Sequence, residues 1–324
     1  MDIKLYKFFI IEKGRIQLKT TPPIIYSVLA YVANPGNDTV SIIDTETNIM
    51  IYNILVRGIP YRLAITPDGM RVYVTNYGDL TISVIDTMTN TVTATIFTGD
   101  DPAGLAITPD GTRVYVTNEG NNTISVIDIT TNRVISTISV GTNPSEIAIT
   151  PDGRYTYVTN SGSDNVSVIN TAINTVISAI SVGYKPSGVA ITPDGTHAYV
   201  TNKFSDNVSV INTATNTVKA TIFVGYKPSG VAITPDGMYA YVTNAGSNNI
   251  SVINTATNTV KATIFVEDAP SGIAITPNGT HAYVTNEFSD NVSVINIATN
   301  TVISTIDIKS NSYPIGILIM NSLY

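Results

Sequence analysis

The chain has 324 residues and a net charge of −7, with 17 Lys and Arg against 24 Asp and Glu. Hydrophobic residues make up 43% and charged residues only 13%, which excludes a disordered chain held open by charge repulsion. The acidic balance argues against nucleic-acid binding, and the lack of cysteine excludes disulfides, thiolate nucleophiles and zinc–thiolate sites.

The first 24 residues lie outside the pattern that fills the rest of the chain. Their apolar stretch, which ends before Glu12 and Lys13, is shorter than the roughly 7–15 residues of a secretion signal core. No run in the sequence approaches the roughly 18 apolar residues of a membrane helix. We therefore expect residues 1–24 to be an extension, either an extra strand on a rim or a flexible segment, and we expect no membrane insertion.

A tetrapeptide, Tyr-Val-Thr-Asn, recurs every 42 residues. It begins at Tyr73, Tyr115, Tyr157, Tyr199, Tyr241 and Tyr283, and the variant Tyr-Val-Ala-Asn begins at Tyr31. One proline and one asparagine recur with the same period, the proline with a slip of two residues in its last copy. Seven sets of landmarks predict seven structural units.

Each unit contains four short strand segments. In residues 228–266 these are GVAIT (230–234), AYVTN (240–244), NISVIN (249–254) and TVKATIFV (259–266). Pro-Asp-Gly between the first two segments predicts a tight turn, because Pro presets φ and Gly supplies a positive φ. The fourth segment has apolar side chains on both faces, as a sheet packed between two neighbours requires. No segment shows a convincing helical period.

Four antiparallel strands repeated seven times predict an all-β, seven-bladed β-propeller. An open stack or solenoid is disfavoured, because such folds usually repeat at a shorter period. The pattern begins with a second strand near Tyr26 and ends with residues 315–320, which match a first strand. We therefore predict one propeller domain over residues 25–324. Its C-terminal strand pairs with the N-terminal blade, which closes the ring and hides two sheet edges.

The motif Pro-Ser-Gly-x-Ala-Ile-Thr-Pro-Asp-Gly, followed by Tyr-Val-Thr-Asn, resembles the YVTN β-propeller repeat of archaeal and bacterial surface-layer proteins. The resemblance covers about residues 26–321. It implies a seven-bladed propeller with a binding or scaffold role, outside the cell or at its surface. The fold is shared with 6-phosphogluconolactonase-like enzymes, haem-binding propellers of nitrite reductases and quinone-dependent dehydrogenase subunits, and none of those activities follows from it.

A unique site must use positions where the copies differ. We call the loops before each first strand and between each second and third strand the variable rim, and the Pro-Asp-Gly and Thr-Asn turns opposite them the turn rim. Two residues after the blade proline most copies have glycine, but Arg62 and Glu146 stand there in blades 2 and 4. Both are expected near the channel mouth, either as a polar axial site for a small anionic or hydroxylated ligand or as solvated charges.

Aromatic and charged residues also depart from the repeat on the variable rim. They are Tyr184, Lys185, Lys203, Phe204, Tyr226, Lys227, Glu287 and Phe288. Exposed aromatics beside charges are typical anchors for a protein or a glycan, and the alternative is that each ring packs on its own loop. The rim also contains Tyr61, Asp79, Asp100, Asp101, Glu119, Glu267 and Asp268. Scattered acids of this kind are either a Ca²⁺ site or a solvated surface, and we predict no metal and no cofactor.

No catalytic residue can be assigned. His197 and His281 occupy equivalent repeat positions before the second strand, which favours exposed strand positions over haem ligands or a Ser-His-Asp triad. The leading hypothesis is a non-enzymatic, monomeric binding or scaffold propeller that recognises a protein or glycan. The alternative is a lactonase-like hydrolase with an axial site, and a redox subunit is least favoured. Asn-x-Ser/Thr sequons, such as those at Asn121 and Asn207, would accept glycan in a secreted protein or would simply result from the repeat.

Overall fold

The computed structural model describes residues 7–12, 15–20 and 26–323, and the surroundings of side chains from residue 28 to residue 320. Strands β1 (Lys7–Glu12) and β2 (Arg15–Thr20) pair with each other as an antiparallel hairpin. The predicted domain boundary between residues 24 and 25 lies outside the described residues. Within the described ranges there is no α-helix, only two single-turn 3₁₀ helices at Pro35–Asn37 and Glu287–Ser289.

The other strands form seven blades of four strands each. Blade 1 contains β3 (Tyr26–Asn34), β4 (Thr39–Asp44), β5 (Ile49–Leu55) and β30 (Gly316–Leu323). Blade 2 contains β6 (Pro60–Ile65), β7 (Arg71–Asn76), β8 (Thr81–Asp86) and β9 (Thr91–Phe97). Blade 3 contains β10 (Pro102–Ile107), β11 (Arg113–Asn118), β12 (Thr123–Asp128) and β13 (Arg133–Ser139). Blade 4 contains β14 (Pro144–Ile149), β15 (Tyr155–Asn160), β16 (Asn165–Asn170) and β17 (Thr175–Ser181). Blade 5 contains β18 (Pro186–Ile191), β19 (His197–Asn202), β20 (Asn207–Asn212) and β21 (Thr217–Phe223). Blade 6 contains β22 (Pro228–Ile233), β23 (Tyr239–Asn244), β24 (Asn249–Asn254) and β25 (Thr259–Phe265). Blade 7 contains β26 (Pro270–Ile275), β27 (His281–Asn286), β28 (Asn291–Asn296) and β29 (Thr301–Asp307).

This arrangement confirms the predicted seven-bladed propeller and its closure. Strand β30, the last in the chain, pairs antiparallel with β3 over eight residue pairs, including Tyr31 opposite Leu318 and Ala33 opposite Gly316. Blade 1 is therefore completed by the C-terminal strand. In the described part of the chain, no helix is long and apolar enough to span a membrane.

Strand boundaries differ slightly from the sequence prediction. The first strand of blade 6 begins at Pro228, which pairs with Asn244 across a bulge, rather than two residues later. It ends at Ile233, because the hydroxyl of the next residue, Thr234, donates to Asp236 Oδ1 at 2.5 Å and begins the turn. The turn itself has the predicted chemistry, since Asp236 Oδ1 also accepts from the Met238 amide and Gly237 has a φ of 73°.

The tyrosine and threonine of the repeated tetrapeptide join neighbouring blades. In blade 5 the Tyr199 hydroxyl donates to Asn258 Oδ1 of blade 6 at 2.9 Å. The Thr201 hydroxyl donates to the Ser229 carbonyl of blade 6 at 2.6 Å. Asn258 has a left-handed backbone (φ 54°), which asparagine tolerates better than most residues. The recurring asparagine therefore shapes its turn and receives the tyrosine of the preceding blade.

The same two bonds cross the closure between blades 7 and 1. The Tyr283 hydroxyl donates to Asn48 Oδ1 at 2.6 Å, and the Thr285 hydroxyl donates to the Ile315 carbonyl at 3.1 Å. Blade 1 carries Ala33 where the other blades carry this threonine, so it has no such hydroxyl to offer blade 2.

The apolar core lies between successive blades. For example, Tyr199 and Val208 of blade 5 pack with Val242 of blade 6. The outermost strands are an exception to the prediction that both of their faces are packed. On β25 only Ile264 is buried, whereas Phe265 is 75% exposed. The physical reason is that blades diverge with distance from the channel, so fourth strands of neighbouring blades barely touch.

Candidate functional site

Arg62 and Glu146 meet at the channel mouth, although they belong to blades 2 and 4. Arg62 Nε donates to Glu146 Oε1 in a salt bridge. The intervening blade has Gly104 at the equivalent place, where a Cβ would lie 2.4 Å from the Ser145 carbonyl oxygen and 2.9 Å from Glu146 Cα. The glycine thus leaves the space that allows the two departures from the repeat to pair.

The pair is mostly shielded from solvent, with side-chain exposures of 15% for Arg62 and 19% for Glu146. Burial alone would lower the pKa of Arg62, but Glu146 and Tyr61 outweigh it, so the pKa is raised and the guanidinium stays charged. Arg62 Nη1 also donates to the Tyr61 carbonyl at 3.3 Å. In the other blades the threonine of the tetrapeptide donates its hydroxyl to the equivalent carbonyl of the next blade, as Thr201 does to Ser229. Blade 1 has Ala33 in place of this threonine, so Arg62 supplies the hydrogen bond to the Tyr61 carbonyl instead.

A cavity of about 140 Å³ lies beside the ion pair. Its wall consists of Arg62, Leu63, Glu146 and the first-strand glycines and apolar side chains of blades 5, 6, 7 and 1. This volume holds a few water molecules or a small ligand. The two charges in the wall already neutralise each other. Over the described residues, no group of three or more His, Asp or Glu is placed to hold a metal ion.

Next to the channel mouth lies an aromatic pair, Tyr61 and Tyr77, of which only Tyr61 was predicted as a rim residue from the sequence. The rings of Tyr61 and Tyr77 lie 5.7 Å apart between centroids, and the Tyr77 hydroxyl donates to Glu119 Oε2 at 3.3 Å. Burial, followed by the charges of Glu119 and Asp101, raises the pKa of Tyr77 to about 12. The sequence does contain a signal for Tyr77: it directly follows the tetrapeptide, at a position where no other copy of the repeat has an aromatic residue.

The structure brings Tyr184, Lys185 and Phe204 together on the rim of blade 5. The rings of Tyr184 and Phe204 are 5.9 Å apart between centroids and tilted by 44°. Lys185 Nζ lies 5.5 Å from the Phe204 centroid, a cation–π geometry. Tyr184 is 53% exposed and Phe204 48%, so about half of each residue is accessible to a partner.

Blade 6 has a related but different arrangement. Lys227 Nζ lies 5.3 Å from the centroid of the Tyr226 ring, which is 54% exposed. Gly246 stands where blade 5 has Phe204, and a Cβ there would come within 2.3 Å of Tyr226 Cδ1. The tyrosine therefore packs directly on the glycine. We call Tyr184, Lys185, Phe204, Tyr226 and Lys227 the aromatic sector.

Main-chain hydrogen bonds hold the loops of the aromatic sector in place. In blade 5 the Tyr184 amide donates to Ser205 Oγ at 2.7 Å and the Lys185 amide to Asp164 Oδ1 at 2.8 Å. The Phe204 amide donates to the Tyr184 carbonyl at 3.2 Å. The loops that carry the two half-exposed rings are thus fixed by hydrogen bonds, and little ordering is left for a ligand to impose.

Lys203, Glu287 and Phe288 extend the rim towards blade 7. Lys203 is exposed, Phe288 is 69% exposed and Glu287 is half-buried. Burial raises the pKa of Glu287 even though Lys203 and Arg62 act to lower it. Glu287 therefore lies within the electrostatic reach of both cations. Asp268 replaces the tyrosine of blades 5 and 6, so the ring pair of blade 5 is not repeated here.

The two histidines lie at the turn rim, away from the channel mouth. His197 Nε2 is 3.1 Å from Lys219 Nζ, and His197 Nδ1 is 2.8 Å from the Thr196 hydroxyl. Burial and Lys219 lower the pKa of His197. His281 makes the equivalent contact with Thr280.

A family profile described as "Lactonase, 7-bladed beta-propeller" matches residues 63–177 and 213–309, more than half of the chain. The chain belongs to this family. A second profile, "YNCE-like beta-propeller", matches residues 153–250. The predicted resemblance to the YVTN surface-layer repeat is not confirmed by these matches and stays a prediction. The lactonase-type family hosts the fold, and membership does not by itself assign an activity.

Several solved structures share the architecture. Hydrazine synthase of Kuenenia stuttgartiensis is 25% identical with a TM-score of 0.70, covering 77% of this chain and 86% of that one. A functionally unknown protein from Desulfotomaculum acetoxidans DSM 771 is 21% identical with a TM-score of 0.80, covering 90% and 98%. The dihydro-heme d1 dehydrogenase NirN, in complex with DHE, is 16% identical with a TM-score of 0.68, covering 89% and 74%. No curated protein matches the sequence significantly. At these identities the likeness supports the fold.

Proposed function

We propose that this lactonase-type propeller is a non-enzymatic binding or scaffold protein that recognises a protein or glycan through its variable rim. The observation that supports this most is the aromatic sector. Tyr184 and Phe204 are each about half exposed on a hydrogen-bonded loop, with Lys185 beside them. Rigid, half-exposed aromatics beside a cation are what anchors of recognition surfaces have in common.

The same proposal places the protein outside the cell or at its surface, acting as a monomer. The location follows the resemblance of its repeat to surface-layer propellers. Closure of the ring supports the monomer, since β30 covers the edge of β3 with which a second chain would otherwise pair.

The test compares ring removal on the rim with ring removal elsewhere. Wild type, the double variant Tyr184→Ala/Phe204→Ala and the control Phe223→Ala/Phe265→Ala are applied to glycan and surface-protein arrays. The control removes two rings that are 77% and 75% exposed on the outer strands. We expect the rim variant to lose binding to the ligands that wild type binds, and the control to retain it. Ligands that survive loss of the rim rings, or no ligand in either class, would refute it.

A lactonase-like hydrolase with an axial site is the second candidate, favoured by the family match and the cavity beside Arg62 and Glu146. Its test is hydrolysis of a panel of sugar lactones by wild type, Arg62→Gly and Glu146→Gly. Glycine is the residue of most other blades at this position, so both variants suit the backbone. Saturable hydrolysis that either substitution abolishes would establish the axial site, and no hydrolysis by wild type would remove this candidate.

A further inference from the structure

The aromatic sector contains the same unit twice. The hexapeptide Gly-Tyr-Lys-Pro-Ser-Gly occupies residues 183–188 and again residues 225–230, one blade apart. Lys185 and Lys227 share a left-handed backbone, with φ of 52° and 53°. Each places its ammonium group between 5.3 and 5.5 Å from the centroid of an exposed ring. The two units therefore share sequence and backbone and each sets an ammonium group over a ring, Phe204 in blade 5 and the unit's own Tyr226 in blade 6.

These ammonium groups are not neutralised within the described part of the chain, where the single ion pair is Arg62 with Glu146. Two aspartates contact the main chain of these lysines. Asp164 accepts from the Lys185 amide and Asp206 from the Lys227 amide, at 2.8 and 2.9 Å, so both anchor the main chain.

On the rest of the variable rim acids outnumber bases, among which Arg57 and Lys309 are exposed. Acidic residues occupy it on blades 2, 3 and 7, namely Asp79, Asp100, Asp101, Glu119, Glu267, Asp268 and Glu287. Around the aromatic sector Lys185, Lys203 and Lys227 outnumber the two acids Asp164 and Asp206. On a protein with a net charge of −7, this is therefore the part of the rim that favours an anionic partner.

We propose that the two Tyr-Lys units bind an acidic polysaccharide, with each ring against the apolar face of a sugar and each ammonium against a uronic carboxylate. This inference rests on the proposed function and names the ligand class of the same surface. Duplication of the unit favours a polymer, because a chain of repeating sugars offers the same chemistry at regular intervals whereas a folded protein surface does not. Two linked contacts bind more tightly than either alone.

The experiment measures binding of sodium polygalacturonate to the full chain by calorimetry, beside neutral dextran and poly-L-glutamate of similar length. Variants are Tyr184→Ala/Tyr226→Ala and Lys185→Asn/Lys227→Asn. Asparagine suits the backbone, because Asn143 takes the same place in blade 4 with a φ of 52°. The matched charge control is Lys219→Gln/Lys261→Gln, on the outer strands of the same two blades.

We expect polygalacturonate to bind, more weakly as salt rises, and to lose about tenfold or more in affinity with either rim variant, equivalent to about 1.4 kcal/mol. The charge control and the single variants Lys185→Asn and Lys227→Asn should lose less.

Equal binding of dextran would overturn the acidic class of ligand while leaving recognition of glycans by the rim intact. The inference would also be overturned if poly-L-glutamate bound as tightly as polygalacturonate and without dependence on the tyrosines. The same holds if the charge control lost as much affinity as the rim variants, because both results indicate general attraction of polyanions. No binding of any polymer overturns this inference, whereas the proposed function fails only if the array experiment also finds no rim-dependent ligand.

Discussion

The two rims of the propeller are built on different rules. On the turn rim every described Thr-Pro-Asp-Gly or Thr-Pro-Asn-Gly turn has its glycine at a φ between 68° and 73° and its side-chain oxygen bonded to the preceding threonine. On the variable rim an ion pair joins blades 2 and 4, an aromatic pair with a lysine lies on blade 5, and blades 2, 3 and 7 carry acidic loops. Residues that repeat therefore maintain the fold, and departures from the repeat are where a specific surface can arise.

The largest expected effect comes from removing residues 315–324, which supply β30. Leu318 and Met320 are buried in the core between blades 1 and 2, and the deletion also exposes the edge of β3. We expect loss of cooperative unfolding or aggregation, measured by calorimetry and light scattering. Deleting residues 1–24 instead is the control and should leave the thermal transition cooperative. A truncated chain that melts like wild type would contradict ring closure by β30.

A smaller effect is expected from the ion pair that departs from the repeat. Glu146→Gly leaves the shielded Arg62 guanidinium without its carboxylate, which should destabilise by about 1–3 kcal/mol, less than the about 3–5 kcal/mol of a fully buried pair. The double variant Arg62→Gly/Glu146→Gly, in which both positions match most other blades, should cost less than Glu146→Gly alone. Denaturant unfolding of the four proteins gives the coupling energy. A double variant as unstable as the sum of the singles would mean that the two residues act independently.

The repeated tyrosines allow a test within the conserved framework. Tyr199→Phe and Tyr283→Phe each remove one hydroxyl bond to a turn asparagine, and each should cost about 0.5–1.5 kcal/mol. Burial raises the pKa of both hydroxyls to about 12. Folding therefore favours their neutral form, and this stability is present below about pH 10, the usual tyrosine pKa, and lost as pH rises towards 12.

Denaturant unfolding at neutral and alkaline pH measures both effects, and each phenylalanine variant should lose less stability on alkalinisation than wild type. A far larger cost for Tyr283→Phe than for Tyr199→Phe would show that the closure depends on this one bond.

The smallest effect is expected from a single turn aspartate. The Thr234 hydroxyl, followed by the Met238 amide, lowers the pKa of Asp236, so this carboxylate stabilises the fold above about pH 4 and the contribution is lost as pH falls further. Asp236→Asn keeps the acceptor, as Asn278 does naturally in blade 7, but cannot titrate. Because Asp236 is exposed, the difference in acid sensitivity should stay below about 1 kcal/mol. Identical melting curves down to about pH 3 would contradict the assigned hydrogen bond.

The fold could be predicted from the sequence because period and turn chemistry are local properties. Pairing of Arg62 with Glu146 could not, since it depends on the space above Gly104 and on the curvature of the ring. Exposure of the outer strands was missed for a similar reason, because alternation along β25 does not reveal that blades diverge.

The sequons show the converse case, in which a motif is explained by the repeat. The side chains of Asn207, Asn249 and Asn291 are mostly buried, and each accepts a hydrogen bond from the asparagine of the tetrapeptide in its own blade. At these positions the folded blade uses the sequon asparagine as a strand-pairing residue. Asn121, by contrast, is exposed.

A loop graft tests most directly whether the repeated residues maintain the fold while the departures from the repeat form the binding surface. Blades 5 and 6 receive the rim residues of blade 4, whose loop makes the same main-chain bonds, through Tyr184→Thr, Lys185→Asn, Lys203→Ser, Phe204→Gly, Tyr226→Thr and Lys227→Asn. We predict that the melting temperature changes by less than about 4 °C, the shift that about 1 kcal/mol produces in a large domain, while binding to polygalacturonate and to the array ligands is lost. Retained binding, or a collapse of stability on grafting, would contradict the account.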